Sequence, residues 1–321
     1  MRDLESLSRL VCQVAREAGA YIRKERANFS VDKVERKHAH DYVSYVDKGS
    51  ELLIVKSLRE ILPGAGFITE EGTTKTLPQP LPEREGSSNS QDGKDAEEHF
   101  TPLPHKDGAG EGLLWVVDPL DGTTNFIHGY APYAVSIALI QDKDILLGVV
   151  YDVCADECYY AWKGGGAYIE VRGKMSDVRS ERSDVRGEKS EVRVERLAVG
   201  TSAINDALLC MQLPYNSDAY KPVIKHLIDR FYGNVGSIRM IGSAAMALCY
   251  VAAGRLDGYV ERYIGRWDYM AGALIVQEAG GTVTDYNGSV DFTRGDSVVA
   301  SNGVVHQPLL EAVAVAVTAT I

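Results

Sequence analysis

Apolar residues recur at three- and four-residue intervals from the start of the chain: Leu4, Leu7, Val11, Val14, Ala15, Ala18 and Ile22. That spacing is one face of an α-helix, so residues from about 3 to 27 are expected to form an amphipathic helix packed on a core. Val31 to Lys37 reads as a strand, and DYVSYVDK leads into a second helix from about Lys48 to Leu62, stopped by Pro63-Gly64. Phe67-Ile68-Thr69 is a short strand, and the apolar run from Leu113 ends abruptly at Asp118. Tyr133 to Ile140, Leu146 to Asp152 and Cys158 to Trp162 follow at short intervals, as in an antiparallel meander. Lys163 to Gly166 is a turn that lacks the GxxxxGK[ST] spacing of a phosphate loop. Further strands are expected at Leu197 to Gly200, Ser237 to Met240, Leu256 to Glu261, Thr282 to Thr284 and Val298 to Ser301. Helices are expected at Tyr220 to Tyr232, at Ser243 to Ala253 with Gly254 closing it, at Asp268 to Ala279 before Gly280-Gly281, and at the end of the chain.

Two stretches break this pattern. From Thr73 to Gly112 five prolines are mixed with Gly, Ser, Asn and charge, the composition of a long loop without periodicity. It follows two adjacent glutamates, so a lid over a site is the sharper expectation, while His99 and His105 within it read as solvated loop residues. From about 174 to 196 the chain repeats itself: SDVRSER, SDVRGEK and SEVRVER. Each unit balances two acids against two bases with little apolar surface, which suits a charged arm or an extended hairpin better than a coiled coil with its two apolar positions per heptad.

Composition narrows the class. The 321 residues are 45% hydrophobic and 25% charged, as in ordinary globular proteins, and they suffice for one large layered domain or two joined halves. A net charge of −11 argues against broad binding to a nucleic-acid backbone. Five cysteines, odd in number and mostly in apolar contexts, read as reduced thiols. Cys154 and Cys158 lack the second ligand pair that a zinc site needs. The N-terminus does not have the apolar core of a signal peptide, no run is long enough to span a membrane, and the cytoplasm is the expected compartment.

The densest chemistry lies in LLWVVDPLDGTTN, Leu113 to Asn125. Asp118 and Asp121 flank a proline at the end of an apolar strand, and Gly122, Thr123, Thr124 and Asn125 can open a short helix. Carboxylates suit hard cations such as Mg²⁺, and free N–H groups at a helix start attract anions. The plainer reading of DPLD is a type I turn. Glu70 and Glu71 form a solvated turn unless the strand before them lies beside Leu113 to Val117, in which case Glu70 reaches the strand end of Asp118. Asp47 and Asp268 each stand at a helix start, where a helix N-cap is the ordinary role.

Trp115 to Leu139, with Ile241 to Glu261, Trp267 to Gly281 and the segment from Asp41 to Gly72, resembles the inositol monophosphatase family of Mg²⁺-dependent, lithium-sensitive phosphatases. The resemblance touches most of the chain outside the two insertions. It implies an α/β fold of five layers, α-β-α-β-α, in a single domain whose halves run from about 1 to 172 and from about 197 to 321, and a homodimer. It implies two to three Mg²⁺ ions per site held by Glu70, Asp118, the Leu120 carbonyl, Asp121 and Asp268, with Asp47 and Thr123 activating water, Glu70 assisting, and Glu71 beside it. Gly122 and Thr123 would hold the phosphate, while Gly242, Ser243, Ala244 and Glu261 would join Asp121 and Asp268 around the substrate. Gly265 stands where family members can carry histidine. The implied activity is hydrolysis of inositol monophosphate or a similar small polyol phosphate. Alternatives are a 3′-phosphoadenosine 5′-phosphate phosphatase, a fructose bisphosphatase, or a non-enzymatic module in RNA-associated assembly. The partner expected is a small phosphate monoester, with neither membrane nor nucleic acid.

Overall fold

The computed structural model describes residues 3–29, 34–38, 41–73, 112–174, 190–213, 217–291 and 295–318. Helix α1, Leu4–Ala27, follows the apolar spacing and is capped by Asp3, whose carboxylate accepts the Glu5 N–H at 3.1 Å. Together with α2, Tyr45–Ile61, it covers one face of a seven-stranded sheet. The strands lie in chain order: β3 Gly66–Thr69, β4 Leu113–Asp121, β5 Ala134–Gln141, β6 Asp144–Asp152, β7 Glu157–Trp162, β8 Gly166–Lys174 and β9 Ser190–Arg196. Only the β3–β4 pair is parallel; the expected meander supplies the antiparallel rest. Before them, β1 Val34–His38 and β2 Asp41–Ser44 form a separate hairpin.

The opposite face of this sheet packs on α5, Ala244–Ala252, and α6, Arg266–Glu278. Beyond those helices lies a second sheet in the order β11 Ser237–Arg239, β10 Leu208–Met211, β12 Gly258–Ile264, β14 Asp296–Ser301, β13 Thr282–Thr284. Helices α4, Ser217–Phe231, and α7, His306–Thr318, close its far side. The layers are therefore α-β-α-β-α, as the resemblance implies. Both faces of the larger sheet are buried, so its strands read as continuous apolar runs: along β4, Trp115 and Val117 face α1 and α2, while Val116 faces α5 and α6. The α6 backbone lies close over β6, where a Cβ on Gly148 would stand 2.5 Å from the Ala271 carbonyl oxygen.

Several boundaries differ from the sequence expectation. Helix α2 starts three residues early, so its N-cap is Ser44 and not Asp47. Residues 197 to 200 are irregular, and the strand expected there lies earlier, as β9. β9 is the third repeat unit, SEVRVER, hydrogen-bonded to β8 as one arm of an extended hairpin. Val192 and Val194 give that unit a β-branched alternation, whereas the earlier units carry Ser180 and Gly187 at the position of Val194. Strand β10 has only four residues and was missed for lack of a periodic signal. The expected lid, with His99 and His105, and the first two repeat units fall largely or wholly outside the described residues. No helix among the described residues is long and apolar enough to cross a membrane.

Candidate active site

The site begins with a defect in β4. Asp118 lies opposite Ser136 of β5, but Asp121 lies opposite Ala134, so three steps on one strand match two on the other. One residue is extra, which defines a β-bulge. Side chains alternate along a strand, and residues three apart normally point to opposite faces. The bulge cancels one alternation: Leu120 joins the core under α1 and α2, and Asp118 and Asp121 turn to the same side. Pro119 has no N–H to contribute to a ladder and is suited to this position. The DPLD segment is thus a bulged strand and not the type I turn that its composition also allows. Asp118 and Asp121 are nearly excluded from bulk solvent, and the Leu120 N–H donates to Asp118 Oδ1 at 2.9 Å.

Strand β3 adds the next carboxylate. It runs parallel to β4 with Thr69 opposite Val117, and the Glu70 N–H continues the pairing to the Val117 carbonyl at 3.2 Å. Glu70 therefore arrives beside Asp118, as the conditional reading of the sequence required. The backbone beyond it is tied down by buried Glu51 of α2, whose carboxylate accepts the Glu71 N–H at 2.8 Å and the Thr73 N–H at 2.7 Å.

The middle helices bring the other acids. Asp121 sits at the start of α5, where it accepts the Ser243 hydroxyl, the Ala245 N–H at 2.9 Å and the Ala244 N–H at 3.3 Å. Asp268, in the first turn of α6, accepts the Gly265 N–H at 2.8 Å. Like Asp47, it occupies the third helical position and is not the N-cap, which is Gly265. Glu261 of β12 receives the buried Tyr259 hydroxyl.

After Asp121 the chain turns through Gly122, whose φ of 87° is left-handed and whose Cβ would press on the Gly242 and Pro132 carbonyl oxygens at 3.1 and 3.2 Å. Helix α3, Thr123–His128, follows. The Thr123 hydroxyl lies 2.9 Å from Asp47 Oδ1 and 3.0 Å from the Leu120 carbonyl oxygen, and its one proton serves one of them at a time. The other Asp47 oxygen accepts the Ser44 N–H at 2.9 Å and the Ser44 hydroxyl at 2.6 Å, fixing the carboxylate's orientation. Asn125 ties α3 to the segment before Gly242 through the Ile241 carbonyl at 2.8 Å, and Gln212 accepts the Gly242 N–H at 3.1 Å.

These residues surround a cavity of about 790 Å³ that includes Glu70, Asp118, Leu120, Asp121, Gly122, Thr123, Gly242, Ser243, Ala244, Glu261 and Asp268. Asp47 stands behind Thr123. Five of the lining side chains are carboxylic acids, and among the described residues no Lys or Arg lines the cavity. Burial pushes the Asp118 carboxyl well above its ordinary range, and repulsion from Glu70, Asp121 and Asp268 adds to it. Asp268 is raised by the same causes, with Glu261 contributing. Desolvation raises Asp121 to about 6 against the hydrogen bonds of α5, and Glu261 to about 8. Like charges held together out of water call for a compensating cation. An all-oxygen donor set of carboxylates with a backbone carbonyl fits a hard divalent ion.

Every site residue expected from the sequence lies at or directly behind this cavity. Sequence reasoning names Asn125 only as part of the start of α3, and it misses Glu51, Gln212 and Tyr259. Glu51 alone left a trace: with Asp47 and Ser50 it interrupts the buried face of α2, where Ile54 and Leu58 continue the core.

The profile of the inositol monophosphatase family matches residues 3–318. The inositol-1-monophosphatase of Mesorhizobium japonicum is 32% identical over 96% of both chains. The Nus factor SuhB of Pseudomonas aeruginosa is 34% identical over 96% of this chain and 95% of its own. Among solved structures, the extragenic suppressor protein suhB of Bartonella henselae superposes with a TM-score of 0.71 at 29% identity, covering 96% of this chain and 98% of that one. The IMPase of Thermotoga maritima gives 0.71 at 26% identity, with 97% of each chain covered. A bulged strand that gathers distant carboxylates, set in the same five layers and matched along nearly the whole length, shows that the chain belongs to the inositol monophosphatase family.

Proposed function

We propose that the chain is a Mg²⁺-dependent phosphomonoesterase acting on inositol monophosphate or a similar small polyol phosphate. Membership of the family supports a phosphatase. The observation that carries the finer reading is the convergence of Glu70, Asp118, Asp121 and Asp268 on a cavity with neither Lys nor Arg among its described lining residues. A phosphate dianion would be repelled from that cavity unless cations were present. Glu70, Asp118, the Leu120 carbonyl, Asp121 and Asp268 would hold Mg²⁺. Two to three ions would there supply Lewis-acid neutralisation of the phosphate and make water more acidic.

The chain's own groups do the rest. Asp47, fixed by Ser44, accepts the hydrogen bond of the Thr123 hydroxyl, which leaves a lone pair of Thr123 Oγ1 free to accept a hydrogen bond from the attacking water. Glu70 takes up the proton that this water loses. The N–H groups of Gly122 and Thr123, at the start of α3, bind phosphate oxygens, and Gly122 lets the phosphate approach the backbone. Ser243 and Ala244 hold Asp121 in place, and with Gly242 and Glu261 they frame the leaving-group side. Gly265 brings no side chain to that side, so Glu261 is the titratable group there.

A panel of inositol monophosphates, fructose 1,6-bisphosphate and 3′-phosphoadenosine 5′-phosphate tests the substrate. The highest kcat/KM is expected for an inositol monophosphate, and a preference for either bisphosphate would replace this assignment. A regulatory role in RNA-associated assembly is a second reading, suggested by the name Nus factor among the relatives. The acidic balance weighs against direct contact with RNA. We also expect a homodimer in the cytoplasm, with residues 1–321 acting as one unit.

The raised carboxyls carry a stability prediction. In the metal-free protein the folded state keeps protons that the unfolded chain releases near pH 4, so stability is present below that pH and is lost as pH rises toward 6 and 8, the values for Asp121 and Glu261. The change at Asp121 alone corresponds to roughly 3 kcal/mol. With chelator present, Tm is expected to be lower at pH 8.5 than at pH 5.5 by roughly 5 to 10 °C. Added Mg²⁺ should restore most at the higher pH. A Tm that climbs across this range in chelator would contradict the buried charge cluster.

A further inference from the structure

One residue at the cavity mouth adopts a backbone conformation that its type rarely does. Tyr263 has a φ of 61°, the left-handed region that glycine fills without strain and bulky residues avoid. It sits on a second β-bulge: Arg262 of β12 lies opposite Ser297 of β14, but Ile264 lies opposite Asp296, which leaves Tyr263 as the extra residue. Such bulges re-aim a side chain, and strained residues cluster at functional sites. Here the bulge turns Tyr263 out of the sheet into the lining of the active-site cavity.

The ring is held in place. The Arg262 guanidinium carbon lies 5.1 Å from its centroid, and the Arg262 side chain is steadied by Asp296 at 3.5 Å. Buried Tyr220 meets the ring edge-on, 6.3 Å between centroids at 81°, and is itself bonded to the Tyr286 hydroxyl at 3.2 Å. Even so, Tyr263 remains 37% exposed, and Tyr130, Leu213 and Met240 rim the same cavity with larger exposures. The cavity is thus charged at its floor and carries aromatic and aliphatic side chains at its mouth, a surface able to take a group beyond the polyol ring itself.

Resting on the phosphatase reading, we propose that Tyr263 is a specificity-determining residue whose ring stacks on a planar, aromatic substituent of the substrate. The substrate class is then a sugar or polyol monophosphate carrying such a substituent on the side away from the phosphate. The phosphate lies at the carboxylate floor, the hydroxylated ring passes Glu261, and the aromatic group meets Tyr263 at the mouth.

A matched pair isolates the effect: phenyl β-D-glucoside 6-phosphate and methyl β-D-glucoside 6-phosphate share the leaving oxygen and differ only in the distant group. With saturating Mg²⁺, wild type is expected to favour the phenyl compound roughly tenfold in kcat/KM, the scale of aromatic stacking. In Tyr263→Gly the ratio should fall to about one while Tm holds or rises, because glycine relieves the left-handed strain. Tyr263→Phe should keep the preference. A ratio near one in wild type, a ratio unchanged in Tyr263→Gly, or a ratio lost only together with a fall in Tm would overturn the proposal. If inositol monophosphate is hydrolysed in the same assay but neither glucoside phosphate is hydrolysed or competes with it, the proposal also fails. Absence of phosphate release from every monoester would instead remove the phosphatase reading itself.

Discussion

Asp118→Asn is expected to abolish Mg²⁺-dependent phosphate release, lowering kcat/KM by at least roughly 10³-fold. Loss of a group merely supporting a metal ligand costs about 10- to 100-fold, and Asp118 stands at the centre of the cluster, with its charge facing Glu70, Asp121 and Asp268. The substitution is nearly isosteric and removes an acid whose ionised form the metal-free cavity penalises through burial and through Glu70, Asp121 and Asp268. The metal-free variant should therefore melt no earlier than wild type, while the stabilisation by Mg²⁺ is lost. This pairing of lost activity with retained stability separates a ligand from a packing residue. Equal phosphate release from both proteins would end the metal reading.

The second large effect is expected at Thr123. Replacing it by Val keeps the shape and the start of α3 but removes the hydroxyl between Asp47 and the cavity. If that hydroxyl orients the attacking water, kcat should fall by about 10² to 10³-fold, within the usual range for proton-transfer groups, with KM little changed. Thr123→Ser, which restores the oxygen, should stay within about tenfold of wild type. A Thr123→Val enzyme with normal kcat would show that Asp47 and Thr123 serve only to join α2 to α3.

How far the sequence could foresee this depends on how local each determinant is. Helix α1 was legible residue by residue, because an amphipathic helix writes its period into about twenty positions. Glu70 was legible conditionally: its role required β3 to lie beside β4, and that parallel pairing is a long-range fact that no spacing encodes. Asp47 and Asp268 were placed at helix starts but at the wrong position within them. Ser44, three residues before Asp47, already had the separation of a capping box, so that error was avoidable.

The bulges mark the other limit. DPLD reads as a turn because Asp and Pro favour turns, and only the register against β5 reveals one extra residue that turns both aspartates to one side. Tyr263 gave no signal at all, since a left-handed backbone at a tyrosine is imposed by β14 and not by local propensity. Glu51, Asn125 and Gln212 act through backbone groups distant along the chain, so the sequence shows the donors and acceptors without showing what they hold. Most of the carboxylate constellation could be named beforehand because the family motif is long; how the strand delivers it could not.

The central claim is that Glu70, Asp118, Asp121 and Asp268 gather divalent cations in one place. Crystals soaked in Mn²⁺, an anomalous scatterer that takes the same oxygen ligands as Mg²⁺, test it most directly. The account predicts anomalous density inside the cavity, between the Asp118–Asp121 bulge and the side chains of Glu70 and Asp268. A cavity without such density at saturating Mn²⁺, or Mn²⁺ bound only elsewhere on the molecule, would contradict it.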